Sequence, residues 1–331
     1  GNIIGAVVAG FILLPRLGSL KTLHLLAGVS MGLALLPLIS HLRQSGLTAL
    51  LVSALGLSLF SVQPQSFDTT AFSTGANVYF RAQSYGRAID SAESLDGGLT
   101  TIVESNRPGE GRIHTMLTNG KFQGDDSPKR EMRAQLAIGT TPLLHTEKRG
   151  RALSIGLGTG VSTRALWAAG FSAIDVVELS ADIVRMAEAY FRRVNDGVLT
   201  RENVATHVTD GRNFLMLSQD KYDLISMEIS SIWFAGAASL YNVEMYDLIK
   251  QRLTSKGVLQ QWIQLHRVSA LDLATVLTTI RSQFDQVWLY FVGRQGIIIA
   301  CTHDCSAGPN TVATIEKSVG MKSVLPLLPQ G

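Results

Sequence analysis

The spacing of hydrophobic and polar positions changes character along the chain. Residues 1–63 are apolar and nearly free of charge. Leu20 to Ser40 is long enough to cross a bilayer, which takes about 20 residues. Leu47 to Val62 is a shorter candidate, suited to a tilted span, and Asn2 to Leu14 is a partial one. Small residues in GAVVAG, AGVSMG and SALG favour close helix packing in lipid over a set of buried core helices. Several apolar segments follow one another with no small-residue cleavage site after a basic start, so a signal peptide fits poorly. The chain begins with Gly rather than Met, so residue 1 is not read as the native start, and further membrane helices are expected before it. Arg16 and Lys21 lie on the side that receives the rest of the chain, and His41 and Arg43 on the other. That slight positive-inside bias predicts a multi-pass protein of the inner membrane with its large domain in the cytoplasm.

Residues 64–94 read as a linker with scattered aromatics. The period then shortens to two. TTIVES and RIHTMLTNGKFQ alternate and are rich in β-branched residues, with Asn119-Gly120 as a tight turn. Residues 95–148 are therefore predicted as a small β subdomain with a connecting helix from Arg130 to Leu144. From 149 to 305 strands and helices alternate. Strands are predicted in RALSI, AIDVVE, VATHVTD, YDLISME, GVLQQWIQ, DQVWLYFVG and GIIIACTH. Helices are predicted after the glycine turn at 156–160, in SADIVRMAEAYFRRV with Ser180 as N-cap, in NVEMYDLIKQRL and in LDLATVLTTIRSQF. Such alternation implies a mostly parallel, doubly wound α/β sheet, here with an antiparallel edge from residues 285–303. Residues 306–331 read as a tail.

Composition adjusts this picture only slightly. The chain has 331 residues, which suggests about two domains. A mean hydropathy of +0.21 beside a charged fraction of 17% separates an apolar part from a water-facing one. The formal charge of +3 comes without a dense Lys/Arg run, so no nucleic-acid partner is implied. Only Cys301 and Cys305 occur, in CTHDC. They read as two reduced thiols at a strand end, with no zinc spacing and no metal expected.

The chemistry is expected where strands end. Gly156-Leu157-Gly158-Thr159-Gly160 lies between a strand and a helix, where glycines admit a ligand to the backbone and the helix N-terminus adds N–H donors. Glu178 ends the next strand about 20 residues on, where an acid accepts hydrogen bonds from ribose hydroxyls. Asp210-Gly211 and Glu228 end two further strands. Ligands of open α/β sheets sit at such carboxyl ends, so four ends point at one crevice for a nucleoside.

From about Asp96 to Gln264 the chain resembles the spermidine synthase (polyamine aminopropyltransferase) family, on a class I methyltransferase-like, Rossmann-like fold. The branch fused to membrane helices is the most similar, and NIIGAVVAGFILLPRLG resembles its transporter-like part. The resemblance implies S-adenosylmethionine or its decarboxylated form as co-substrate, transfer of the alkyl chain, release of methylthioadenosine, a small-molecule acceptor and a homodimer. It assigns Gln123 to the sulfonium-side chain and Gly156, Gly158, Thr159 and Gly160 to the glycine loop. Glu178 falls to the ribose and Asp210 with Gly211 to the adenine. Glu228 takes the catalytic acid's place, and GAASLY, ending in Tyr241, closes over the site.

Departures from the family pattern shape the expectation further. Thr159 stands where the family's loop carries the aspartate that holds the decarboxylated cofactor's amine, which favours intact S-adenosylmethionine. Ser231 stands where a second aspartate would bind a diamine. Trp233, Tyr241 and Trp262 are candidates to face the cationic sulfur, with core packing as the alternative role. A desolvated dication needs paired carboxylates, and the sequence provides too few. Intramolecular attack by the cofactor's own amine or carboxylate on Cγ is then a chemically sufficient route. The alternatives are a methyltransferase and a non-catalytic cofactor sensor tied to a membrane part.

Overall fold

The computed structural model describes residues 2–33, 54, 56, 67–94, 98–229, 232, 236–266 and 268–328. A single helical run, α1 (Asn2–Leu33), occupies the start, with an 18-residue window of mean hydropathy 2.0 that is 0% buried. The hydropathy pattern implies a turn near Arg16 to Lys21 between two spans. The helical run instead passes through, with a π-turn at Ala9–Leu13 and Gly18 at φ 75° within it. Pro15 lies between them, and its missing N–H and ring disturb the preceding turn. Only one apolar helix long enough to cross a membrane is found among the described residues, and the candidate at Leu47–Val62 falls almost wholly outside them.

Two sheets follow. The first is antiparallel, in the order β1 (Arg87–Ser94), β2 (Gly98–Arg107), β3 (Gly111–Thr118) and β4 (Lys121–Asp125). The β3–β4 turn is made by Asn119 at φ 51° and Gly120 at φ 77°, the pair of left-handed residues that matches strand twist in a two-residue hairpin. β1 lies inside the segment expected to be a linker, so the subdomain starts earlier than its sequence suggests. Helix α2 (Glu131–Thr140) then leads into the second sheet.

That sheet has seven strands in the order β10-β11-β9-β8-β5-β6-β7, comprising β5 (Arg151–Ile155), β6 (Ala173–Glu178), β7 (Val204–Val208), β8 (Tyr222–Met227), β9 (Leu253–Gln264), β10 (Gln286–Val292) and β11 (Gln295–Cys301). Strands β5 to β9 pair in parallel, while β11 runs antiparallel to both β9 and β10, which is the edge the sequence predicts. Successive residues serve opposite faces. Ile297 and Ile299 enter one core cluster and Ile298 enters the other, as a pleat covered by helices on both sides requires. Helix α3 (Val161–Ala168) packs on the first face. Helices α6 (Val243–Arg252) and α7 (Ala270–Arg281) pack on the second. Between these groups come α4 (Ala181–Tyr190) and the short α5 (Gly211–Leu217), which the sequence reading passed over.

The C-terminal segment also differs from expectation. Helix α8 (Pro309–Lys317) and the turns after it are part of the body: Ile315, Met321 and Val324 belong to the first core cluster. Ser318 Oγ donates to the carbonyl of Ala168 at 2.7 Å, fastening the segment to the end of α3. Cys301 and Cys305 form a disulfide, which corrects the reading of two reduced thiols. The bridge closes the β11 end, where His145 Nδ1 meets the Cys305 carbonyl at 2.7 Å.

Candidate active site

Strand order reverses at β5, which sends the chain to β6 on one side and meets β8 on the other. The splayed loops at such a switch point leave a crevice. Here it is a cavity of about 830 Å³ between the carboxyl ends of β5, β6 and β8 and strand β4 of the smaller sheet. Of the sequence-predicted residues, Gln123, Gly156, Gly158, Thr159, Glu178, Asp210, Gly211 and Glu228 line it. Gly160 sits just outside, as the left-handed N-cap of α3 at φ 78°. Tyr241 is not brought to the cavity. It is 5% exposed within the second core cluster, its hydroxyl donates to the Trp262 carbonyl at 3.4 Å, and burial pushes its pKa up to about 12. Ser231 and Trp233 lie outside the described residues.

The end of the cavity at the glycine turn is built on backbone amides. Glu178 accepts from the N–H of Leu157 at 2.9 Å and of Ser180 at 3.0 Å, which ties the β6 end to the glycine turn. Burial pushes its pKa up, opposed by N–H donors of Leu157, Ser180 and Leu179. Ser180 opens α4 as the sequence predicts, but it makes no side-chain cap bond there. Asp210 caps α5 by accepting from the Asn213 N–H at 2.8 Å. Gly156 is required by geometry: at φ 89°, an added Cβ would come 2.3 Å from the carbonyl oxygen of Glu228. That approach lets β5 and β8 end side by side, with the Glu228 N–H donating to the Ile155 carbonyl at 2.8 Å.

At the other end stand two acids. Glu228 Oε1 is buried and has no hydrogen-bond partner among the described residues, while Ser162 bonds the carboxylate. Desolvation, that bond and the Glu131 charge together leave its pKa raised to about 7. Glu131, at the start of α2, is likewise pushed up to about 7, chiefly by burial and then by Asp125. Gln135 Nε2 donates to Glu131 at 3.4 Å, and the Thr159 hydroxyl donates to Gln135 Oε1. Thr159 is thus engaged by the first turns of α2. From the sequence only one acid, Glu228, is expected at this end; Glu131 is a second. In KREM, at the head of a helix, an acid looks like an ordinary charge favouring the dipole. Lys121, Gln264, His266 and Gln295 also line the cavity and were not singled out. Trp262 does face it, and its Nε1 donates to Gln295 Oε1 at 2.9 Å.

A switch-point crevice with a glycine turn and acids on three strand ends is the arrangement of a Rossmann-like, methyltransferase-fold domain. Residues 131–293 match the model of the spermine/spermidine synthase domain. The polyamine aminopropyltransferase of Nitrosomonas europaea is 27% identical over 179 residues, covering 53% of this chain and 54% of that protein. Polyamine aminopropyltransferase 2 of Pseudomonas aeruginosa is 24% identical over 194 residues, covering 56% and 55%. The chain spans about half the length of these curated relatives. Among solved structures, the spermidine synthase from Thermotoga maritima superposes with a TM-score of 0.58 at 14% identity, covering 74% of this chain and 85% of that one. A probable spermidine synthase from Corynebacterium glutamicum gives 0.52 at 16% identity, covering 74% and 95%. These likenesses establish the fold.

Proposed function

We propose that the chain is a spermidine synthase-like transferase that uses an adenosylated sulfonium, S-adenosylmethionine or its decarboxylated form, as alkyl donor and releases methylthioadenosine. The observation that carries this reading is Glu228, whose buried Oε1 has no partner among the described residues and which lines the cavity beside the glycine turn. Glu178 and Asp210 take the ribose and adenine, and the glycine loop takes the chain beyond the sugar. A nucleophile's lone pair attacks the carbon bonded to the sulfonium. The C–S bond breaks, its electrons remain on sulfur as a neutral thioether, and Glu228 accepts the proton that an amine nucleophile must shed. Glu131 supplies a second carboxylate beside Glu228, so an amine acceptor is better served than the sequence suggested. Thr159, held by Gln135, gives no charge for a bare aminopropyl ammonium, which keeps intramolecular attack within an intact cofactor as the second route.

The apolar α1 supports attachment to a lipid bilayer, with the catalytic body on the cytoplasmic side where such cofactors are made. The Cys301–Cys305 disulfide pulls against that side, since such bonds are rare in reducing compartments. A homodimer belongs to the same reading.

Glu228→Gln is the test. The variant binds methylthioadenosine with an affinity within about threefold of the parent, and turnover falls by roughly 10² to 10⁴. Titration calorimetry and mass-spectrometric product analysis measure the two. Turnover retained in the variant would remove Glu228 from the reaction, and release of S-adenosylhomocysteine would make the protein a methyltransferase.

A further inference from the structure

The residues that follow β11 gather side chains the cavity does not use. Cys301 ends β11, and the chain then turns back on itself. Four extended residues would carry Cys305 about 13 Å from Cys301. Their Cα atoms are instead 6.6 Å apart. The two sulfurs and a ring nitrogen of His303 thereby come within 4.8 Å of one another. CTHDC shows no zinc spacing as a sequence, because the turn and not the interval brings the three together. The place is separate from the cavity. None of the three lines it, and β11 meets it at the other end, through Gln295. Along a strand, Gln295 to Cys301 spans about 20 Å.

Both cysteines are anchored by bonds that do not depend on the disulfide. The Cys301 carbonyl accepts from the Asp285 N–H at 3.1 Å, beside the β10–β11 pairing. The Cys305 carbonyl meets His145 Nδ1 at 2.7 Å. Reduction therefore leaves both in place, buried side by side. His303 is half-buried, and its Nδ1 is buried without a hydrogen-bond partner among the described residues. Asp304 is engaged elsewhere: its Oδ1 accepts from the Ser306 N–H at 3.1 Å and hydroxyl at 2.7 Å. Thiolates and a neutral imidazole are ligands of zinc and similar cations, and two thiolates offset the charge of a buried divalent ion. Zinc bonds of about 2.3 Å to sulfur and 2.0 Å to nitrogen set tetrahedral ligand atoms about 3.5 to 3.8 Å apart. Once the S–S bond opens, the sulfurs need only part to that spacing.

We propose that the Cys301–His303–Cys305 turn is a redox-gated site for a thiophilic divalent cation. Reduced, it holds the ion through both sulfurs and the His303 ring. Oxidised, it closes as the disulfide and releases the ion. Two external thiols supply the two electrons that break the S–S bond and leave joined as a disulfide, while each cysteine sulfur takes a proton. The ion displaces those two protons when it binds. The inference stands apart from the transferase reading, since the cavity shares none of these residues.

Zinc uptake by the full chain in detergent is measured by elemental analysis against a weak competing chelator. One sample is oxidised, and the other is reduced with a dithiol and freed of it without air. The reduced parent takes up one zinc per chain and the oxidised parent none. Cobalt in place of zinc gives the charge-transfer absorption of cobalt–thiolate bonds. His303→Asn still forms the disulfide, so its oxidised form is the folding control. Reduced, it binds zinc at least about ten- to a hundredfold more weakly, no less than the loss of an outer-shell partner costs. Cys301→Ser combined with Cys305→Ser abolishes uptake. A reduced parent that takes up no zinc, or binds cobalt without the charge-transfer band, overturns the inference without any variant, so a misfolded double variant does not rescue it. Zinc held equally by the oxidised parent, or by His303→Asn at parental affinity, places the ion elsewhere and overturns it as well.

Discussion

Glu131 and Glu228 are raised for related reasons and shape each other. Each loses water at the cavity wall, and the Glu131 charge adds to the cost of ionising Glu228. In the role of proton acceptor proposed for it, Glu228 works when ionised, so kcat/KM is expected to rise with pH through about 7. Glu131→Gln removes the like charge, favours the ionised form of Glu228 and moves this acid limb to lower pH by about half a unit. The shift is modest because desolvation, which the variant keeps, is the larger cause. A pH–rate profile checks it, and a limb displaced upward would mean that Glu131 stabilises the ionised partner. Glu228 was legible in the sequence because it ends a strand. Glu131 was not, because its partnership depends on α2 reaching the far side of a sheet about 100 residues away in sequence.

The elements that hold these residues follow from short-range rules, with informative failures. The strands of the parallel sheet are apolar runs closed by glycine or acid, and the antiparallel pair β10–β11 carries its own turn, so both could be read in order. β1 was missed because RAIDSAES places polar residues on an edge strand, where one face and one side stay wet. α5 was missed because GRNFLML is only seven residues long and opens on glycine. α8 was assigned to a tail because its partner in the body, the turn at Thr141–Leu144, lies far back in the sequence. The glycine turn shows how one position couples two elements. Gly156→Ala sets a methyl group against the Glu228 carbonyl at a φ that L-residues rarely adopt, and lowers stability by about 2 kcal/mol or more. Denaturant unfolding measures that loss. Methylthioadenosine affinity falls in the folded fraction as well, because the β5 and β8 ends must separate. An alanine variant as stable as the parent would mean the two strand ends are free to part.

At the scale of the whole molecule, α1 stands apart from everything the site requires. Neither core cluster contains any of its residues, and Ile3, Phe11 and Leu33 are 81%, 79% and 61% exposed. Its 32 residues extend about 48 Å, more than the roughly 30 Å of a bilayer's hydrocarbon. An exposed surface this apolar marks a place where lipid or another protein is met. The link to the body is polar and local: Ser19 donates its backbone N–H to Glu93 at 3.1 Å, and its hydroxyl to the same carboxylate on β1. Hydropathy made the apolar helix legible but not its continuity past Pro15 and Gly18, which depends on backbone geometry. Removal of residues 1–66 therefore leaves the body folded, with a melting temperature within about 3 °C of the full chain and unchanged affinity for methylthioadenosine. The full chain is recovered from the membrane fraction and needs detergent, and the shortened one does not. Fractionation, thermal melts and calorimetry on the pair decide the matter. If the shortened chain unfolds or loses the ligand, α1 is a structural part of the body, and attachment to a bilayer no longer explains its exposed apolar surface.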